Sequence, residues 1–551
     1  MNEINIFKIS AGNLINLSDL NDEQIANIKD ELTFKFDTYT GYKEKVVAYT
    51  IITYSKLDYY LSKEEEVLKR TQPENSRYIL VPYKYELSIP HKITSIVSFD
   101  SKKYLDNLKG VTPRQYQKDF FLELEQDDAF TKKSSLFNVD TGHGKTIMSI
   151  FHFCSISANR VIVSVPSNYL AIQWRKAISN ITDYNVVLLK PSSKAFFNDL
   201  SDNTVYIITY DLIDSISHED KRYANLLSLF KIADIIVYDE CHNLGAKTLF
   251  KLHSLPVVRK LYLTATFRRY DGKESIMSLY IDSIYTMPSI LWKPKTHFLH
   301  IGNSDHPPIF LDKKLPLGLK EDEFLSKFSD VIYCQSPSPI INSYSGTEYS
   351  FTPSYHIKSL KEFRKFCIDN FIPIKDFSDY LYSDSYVKAC TQLSYSYNSL
   401  NNLNKHILSA IEVGRKVLVI SNRLNCLWYL YSQLVDSALV TGDDSITDDF
   451  LVYLNSKSVI LGSLQIADEG IDIPDLDTLY VITPKKDLQQ AYGRIRRIFE
   501  GKKYPLVYIV ETDIMQLNNV WTPNSDIFKS VSLNNVSYID YTENKSLKRV
   551  K

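Results

Sequence analysis

Glycine is scarce in this chain, at 16 of 551 residues, against 39 tyrosines and 27 phenylalanines. That excludes a Gly-rich low-complexity chain and leaves enough aromatic surface for packed cores over most of the length. The six cysteines (Cys154, Cys241, Cys334, Cys367, Cys390, Cys426) lie far apart, with no CxxC pair and no histidine cluster beside them. Neither a disulfide framework nor a zinc site is indicated, and a reducing compartment fits. Neither sign of charge is in excess, since 64 Lys plus Arg oppose 65 Asp plus Glu for a formal net charge of -1. A polycation that captures nucleic acid through its overall field is excluded, so any such binding must come from local patches. No apolar run approaches the roughly 18 residues of a membrane span. The N-terminus, MNEINIFKIS, also lacks the basic and apolar regions of a signal peptide. The expectation is a soluble, intracellular protein without membrane partners.

At roughly 150 residues per domain, the length suggests about three or four domains. Residues 1–105 mix strand-like runs (KVVAYTIITYS, RYILVPY) with an acidic, helix-like opening around Asp19 to Glu31, and they carry no nameable motif. They are read as an N-terminal accessory domain. Over 106–290, short apolar runs (LFNV, VIVSV, VYIITY, DIIVYDE, KLYLTAT) alternate with helix-length amphipathic stretches. That rhythm predicts a parallel sheet built from βαβ units. Residues 291–400 break it with Pro pairs, SPSP and many Ser, Tyr and Asn, as an insertion or linking region would. The alternation resumes over 401–515 with RKVLVIS, SALVTG, SVILGS, TLYVITP and LVYIVET, predicting a second α/β unit. Residues 516–551 end in TENKSLKRVK and read as a polar tail.

Three segments carry chemistry. In LFNVDTGHGKTIMSIF an apolar strand runs through Gly142, His143, Gly144, Lys145 and Thr146 into a helix-like run. Glycines there let backbone N–H groups close around phosphate oxygens, Lys145 reaches the terminal phosphates and the Thr146 hydroxyl can ligate Mg²⁺. The strict pattern wants a glycine where Val139 stands, and His143 reads as a permissive loop residue. In ADIIVYDECHNLG, Asp239 and Glu240 end an apolar strand, the edge at which ligands bind in open α/β sheets. Asp239 can hold Mg²⁺, Glu240 can polarise an attacking water, and His242 is placed to sense the γ-phosphate. Read alone, the acidic pair is equally a solvated loop. In QQAYGRIRRIFEGKK, Gln490, Arg494 and Arg497 fall at helical spacing, suited to bridging phosphate oxygens. The alternative for the arginines is a basic solvated helix face.

In order and content these segments resemble the motifs of superfamily 2 helicases and translocases with a DECH box, across about 110 to 510. VDTGHGKT is similar to motif I, DECH (Asp239 to His242) to motif II, LTATF (Leu263 to Phe267) to motif III, and QAYGRIRR to motif VI. Arg269, Asp271 and Gly272 follow motif III, where Phe267 replaces the family's common Pro. PRQYQ resembles the element preceding motif I in XPB-type and UvsW-type enzymes, and VPSNYLAIQW, with Pro166, Ser167, Gln173 and Trp174, resembles motif Ia. ITYDLI with Thr209 and Tyr210 looks like motif Ic, ADEGIDIPDLDTL with Gly470 and Asp472 like motif V, and VLVISNR with Ser421 and Arg423 like a looser motif IV.

The resemblance implies an α/β fold of two RecA-like lobes with ATP and Mg²⁺ in their cleft and a nucleic-acid strand across both. It assigns Lys145, Glu240, Gln490, Arg494 and Arg497 to catalysis. Nucleotide binding falls to Arg114 and Gln117 (adenine), Gly142, His143, Gly144, Lys145, Thr146, Gly470 and Asp472, and Mg²⁺ to Thr146 and Asp239. His242, Thr264 and Thr266 would couple hydrolysis to the strand, or the threonines simply end a β-strand. Pro166, Ser167, Thr209 and Arg423 would touch nucleic acid, while Trp174 either stacks on a base or packs in the core. The implied activity is nucleic-acid-stimulated ATP hydrolysis driving unwinding or translocation, with DNA favoured over RNA; poxvirus transcript-release helicases share the motifs. The alternatives are the motor of a restriction or nuclease system and a binding module with ATP as a switch. Basic charge is concentrated where phosphates would lie: Val481 to Lys503 holds seven basic and two acidic residues, Met1 to Lys35 three basic and six acidic.

Overall fold

The computed structural model describes residues 4–37, 43–190, 200–215, 221–246, 248–265, 267, 272–289, 292–302, 309–312, 326, 331–334, 340–349, 354–357, 360–371, 390, 393–394, 396–441, 447–464, 473–484, 488–496, 501–512, 537–540 and 548–550. The chain divides into two compact units, Met1–Ser289 and Ile290–Lys551.

In the first unit, strands β1 (Ile4–Ile9), β2 (Gly12–Asn16), β3 (Thr33–Asp37), β4 (Lys43–Val47), β5 (Thr50–Thr53), β6 (Arg77–Val81) and β7 (His91–Ser95) precede the motifs. Five of them form a sheet in the order β5-β6-β2-β1-β7, and β3 pairs with β4 as a separate antiparallel ribbon. Helix α1 (Asp22–Glu31), followed along the chain by α2 (Glu66–Arg70) and α3 (Gln115–Gln126), starts at Asn21, whose side chain and Gln24 cap each other's backbone N–H groups.

The motif region builds a seven-stranded sheet from β8 (Ser134–Asn138), β9 (Arg160–Val165), β10 (Asn185–Leu188), β11 (Thr204–Thr209), β12 (Ile235–Tyr238), β13 (Lys260–Thr264) and β14 (Ser283–Thr286). Its order is β10-β11-β9-β12-β13-β8-β14, and every pairing is parallel. The strands read as continuous apolar runs because both faces are covered. Val161, Val205, Val237 and Leu261 enter one core; their neighbours Ile162, Tyr206, Ile236 and Tyr262 enter the other.

The second core also contains Ile4, Ile6, Ile15 and Ile79 of the N-terminal sheet. Charged groups reinforce this junction. Lys133 Nζ meets Glu65 Oε1 at 3.2 Å with the two side chains only 3% and 0% exposed. Lys260, fully buried, donates to the Ser10 carbonyl and to Tyr83 Oη, and Lys8 pairs with Asp282 at 3.0 Å. Burial holds the Lys133 ammonium below its ordinary range and pushes that of Lys260 down to about 7.

The second unit holds an eight-stranded sheet in the order Ser437–Val440, Val459–Ser463, Val417–Ser421, Thr478–Val481, Leu506–Glu511, Lys295–His300, Ser537–Asp540, Lys548–Val550. All pairings are parallel except the last. Two of these assignments differ from the sequence reading. Lys295–His300, placed in the linking region, is an inner strand, and residues 537–540 and 548–550 of the polar tail add two more. A single short strand in polar flanks has no periodic signal of its own; its partners, Leu506–Glu511 above all, supply the reason to be a strand.

Among the described residues no helix is long and apolar enough to cross a membrane. Glu65→Ala should cost about 3–5 kcal/mol in urea unfolding, because it strands a buried ammonium, and the double variant Glu65→Leu/Lys133→Met should recover most of that loss. For Lys260 the ordinary value is 10.5 and the native value about 7. Between these, the unfolded chain binds a proton that the native chain lacks, so the group's contribution to stability rises with pH over that window. Relative to Lys260→Met, the wild-type urea midpoint should therefore rise from about pH 7 to about pH 9.

Candidate nucleotide site of the first unit

The glycine turn, the acidic pair and Thr264 sit at or just beyond the carboxyl ends of β8, β12 and β13, where the loops of an open α/β sheet converge. After β8, Val139 N–H still donates to Thr264 O at 2.9 Å, and the Val139 side chain is buried. Valine is thus accommodated because this position continues the strand. The turn itself falls on Gly142 (φ 88°) and Gly144 (φ 82°), both in the left-handed region open to glycine. Helix α4 (Lys145–Ser155) begins at the next residue, with Thr146 half-buried in its first turn.

The preceding element locks this turn in place. Helix α3 spans Gln115–Gln126, and Gln117, buried near its start, has both ends of its amide engaged. Its Oε1 accepts from Arg114 N–H at 2.9 Å and its Nε2 donates to His143 O at 2.9 Å. A Cβ on Gly144 would stand 2.6 Å from that same Nε2. Tyr116 adds an edge contact to the His143 ring, with centroids 5.7 Å apart. His143 is thus 1% exposed and serves through its carbonyl.

The acidic pair follows β12. Glu240 takes a left-handed conformation (φ 49°), uncommon for a residue with a side chain, which turns the chain sharply after Asp239. Lys145 Nζ meets Glu240 Oε1 at 3.3 Å, the two side chains being 9% and 13% exposed. His242 Nδ1 lies 3.4 Å from Glu240 Oε2 and 3.3 Å from Thr264 Oγ1, joining the acidic loop to the end of β13. Asp239 is buried, and its carboxyl is pushed up to about 6 by desolvation and then by neighbouring Glu240, with Lys145 and a hydrogen bond from Trp174 opposing. Cys241 is fully buried in the core, as a small packing residue.

Trp174 resolves one alternative. It lies in α5 (Asn168–Ile181), is 1% exposed, and its Nε1–H donates to Asp239 Oδ2 at 2.7 Å. The indole is a core residue with its polar edge on the acidic pair. Ser167 caps α5, accepting from Leu170 N–H at 3.4 Å, and Pro166 precedes it. Thr209 ends β11 and accepts from Leu212 N–H at 3.3 Å in the first turn of α6 (Tyr210–Ser215). Tyr210 Oη–H donates to Asp239 O at 2.6 Å. These links to Asp239 were missed in the sequence, although a buried Trp and Tyr each need a polar partner, which was the available signal.

In the second unit, Gln490 and Arg494 lie on the helix Gln489–Ile495, and Arg496 just beyond it donates through Nε to Trp292 O at 2.9 Å. Arg423 precedes the helix Leu424–Gln433, its N–H donating to Ser421 Oγ at 3.0 Å. Thr266, Arg269, Asp271, Gly470, Asp472 and Arg497 lie outside the described residues.

Residues 110–269 match the family model of the type III restriction enzyme res subunit. The chain is 29% identical over 160 residues to a candidate ATP-dependent RNA helicase of Acanthamoeba polyphaga mimivirus, covering 27% of this chain and 28% of that protein. It thus spans little more than a quarter of that relative. It is 23% identical over 542 residues to a candidate helicase of Sulfolobus islandicus filamentous virus, covering 94% of this chain and 82% of that one. Among solved structures, S. cerevisiae Dbp5 bound to RNA and ADP BeF3 aligns at TM-score 0.49 and 12% identity, over 78% of this chain and 90% of that one. The Type ISP restriction-modification enzyme LlaBIII bound to DNA aligns at TM-score 0.46 and 15% identity, over 79% and 32%. Over residues 110–269, which hold the Gly142–Thr146 turn and the Asp239–Glu240 pair, the chain is similar to the res-subunit family. The viral matches, like the motifs, put the similarity among helicases.

The turn makes its own prediction. Gly110 is also left-handed (φ 83°), but a Cβ added there would meet nothing within 4 Å, whereas at Gly144 it would meet Gln117. Gly110→Ala should cost about 1–2 kcal/mol in thermal or urea unfolding, and Gly144→Ala measurably more, with nucleotide binding weakened in the second variant alone.

Proposed function

We propose that the chain is an ATP-dependent superfamily 2 helicase or translocase, coupling ATP hydrolysis to movement on or unwinding of nucleic acid. One observation carries the reading: Lys145, Glu240, His242 and Thr264, from three separate sequence motifs, stand in one chain of contacts of 3.3–3.4 Å at a single sheet edge.

The residues fit Mg²⁺ and ATP. Left-handed Gly142 and Gly144 free backbone N–H groups at the start of α4, an eleven-residue helix whose N-terminus favours anions. Lys145 has a carboxylate partner that phosphate oxygens can replace. Thr146 and Asp239 would hold the metal, Gly142 to Thr146 the phosphates, and Arg114 and Gln117 the adenine. Bound Mg²⁺-ATP would supply the phosphoanhydride bond whose hydrolysis drives the motor. Glu240 orients a water and draws its proton toward Oε1, and His242 passes the state of that carboxylate to Thr264. Gln490, Arg494 and Arg497 are assigned to the same turnover, Gly470 and Asp472 to nucleotide binding and Thr266 to coupling, by the motifs they occupy.

Nucleic acid is the proposed partner, held through Pro166, Ser167, Thr209 and Arg423 on its phosphates, which makes binding salt-sensitive and largely independent of sequence. DNA is favoured by the PRQYQ and QW elements. A second reading, the motor of a restriction system, is favoured by the res-subunit match over 110–269.

Lys145→Ala and Glu240→Gln should each abolish nucleic-acid-stimulated ATP turnover while the circular dichroism spectrum stays that of wild type; unchanged turnover sinks the assignment. Arg494→Ala should cut turnover with a smaller loss of ATP binding. Strand displacement on forked DNA, blunt duplex and RNA–DNA hybrid separates unwinding from translocation and DNA from RNA.

A further inference from the structure

We propose that Trp174 and Tyr210 are positioning residues that hold Asp239 from the two faces of the first parallel sheet and tie it to the elements that grip nucleic acid. This rests on the function proposed above.

The strand leading to Asp239 alternates strictly between the two cores. Ile235 and Val237 enter one, Ile236 and Tyr238 the other. Trp174 belongs to the first core, and from that side its indole N–H reaches Asp239 Oδ2 at 2.7 Å. Tyr210 belongs to the second, and from there its hydroxyl reaches Asp239 O at 2.6 Å. The backbone N–H of Glu240 donates to Asp239 Oδ1 at 3.0 Å. Asp239 is therefore held by three donors, two on its carboxylate and one on its backbone carbonyl, and the two aromatic ones are 1% and 2% exposed.

The origin of those two groups gives the arrangement its consequence. Trp174 lies two turns into α5, the helix capped by Ser167. Tyr210 directly follows Thr209, the last residue of β11. Both elements that carry first-unit nucleic-acid contacts in the proposed function thus donate a hydrogen bond to the residue proposed to hold Mg²⁺. A shift of either element on binding a strand must move or strain a buried hydrogen bond to Asp239, since packed cores deform between discrete arrangements. Partners of metal ligands of this kind are commonly worth 10–100-fold in metal affinity or activity.

Trp174→Phe and Tyr210→Phe keep the aromatic bodies and delete the donors. Two quantities are measured on the full chain: the Mg²⁺ concentration for half-maximal binding of a fluorescent ADP analogue, and the ratio of ATP turnover with and without single-stranded DNA or RNA. Each variant should raise the Mg²⁺ requirement on the order of 10-fold and lower the stimulation ratio several-fold, while thermal unfolding shows a folded chain. Trp174→His, which retains a ring N–H donor, should recover part of both. A purely structural role would lower the unfolding midpoint and leave both quantities at wild-type values, which overturns the inference; if Trp174→Phe fails to fold, Tyr210→Phe decides. A wild-type chain that no nucleic acid stimulates overturns the proposed function and the coupling with it, whereas an unchanged Mg²⁺ requirement in the variants of a stimulated enzyme overturns the positioning role alone.

Discussion

Lys145 and Glu240 meet at 3.3 Å although the strands that deliver them are not neighbours: β13 runs between β8 and β12. Their contact depends on the register in which these three parallel strands are held. Tyr238 pairs with Tyr262 and Thr264 with Asn138, so a slip of one residue in either pairing would send Asp239 to the wrong face and part the lysine from its carboxylate. His242 spans the remaining gap to Thr264 across the intervening strand. The register of this edge is thus the constraint from which the site follows.

Holding charges at such an edge is costly, and the structure compensates with fixed donors. Asp239 is buried beside a second carboxylate and would prefer its proton; an indole N–H, a backbone N–H and nearby Lys145 favour the ionised form. The same economy recurs where the N-terminal sheet meets the motif-bearing sheet. There Lys133 and Lys260 are buried, each with partners from the N-terminal residues, so that the two sheets share one core and one set of polar contacts. Buried pairs contribute little net stability but strongly disfavour other dockings of the same surfaces, since any alternative leaves a charge without a partner.

Much of this was legible in the linear chain. The five apolar runs between 135 and 264 became parallel strands because continuous apolar character has no other use in a sheet covered on both faces. The turn at Gly142 to Lys145 was legible because glycines between a strand and a helix, followed by lysine, have few alternative uses; the Asp239–Glu240 pair, alone equally a solvated loop, was legible only beside that turn. Less visible were Lys295–His300 and the strands near the C-terminus, which owe their form to partners distant in sequence. Val139 looked like a departure from the motif and simply prolongs the line of β8 by one residue, its N–H bonded to Thr264 O. Trp174 had two readings, and only its neighbours in space selected the core.

Residue type and order by themselves determined which chemistry the chain carries: a phosphate-binding turn, an acidic pair after a strand, and glutamine with arginines on a later helix. These are properties of side chains and short spacings, the glutamine and arginines being read from sequence spacing alone, and the linear chain contains them in full. Tertiary structure decided which of these groups touch. The Lys145–Glu240 contact, the two aromatic donors on Asp239, Gln117 locked between Arg114 and His143, and the buried lysines under the N-terminal sheet all join residues from separate elements. Sheet order and register, set by the burial of whole faces, brought them together, and no local spacing encodes that.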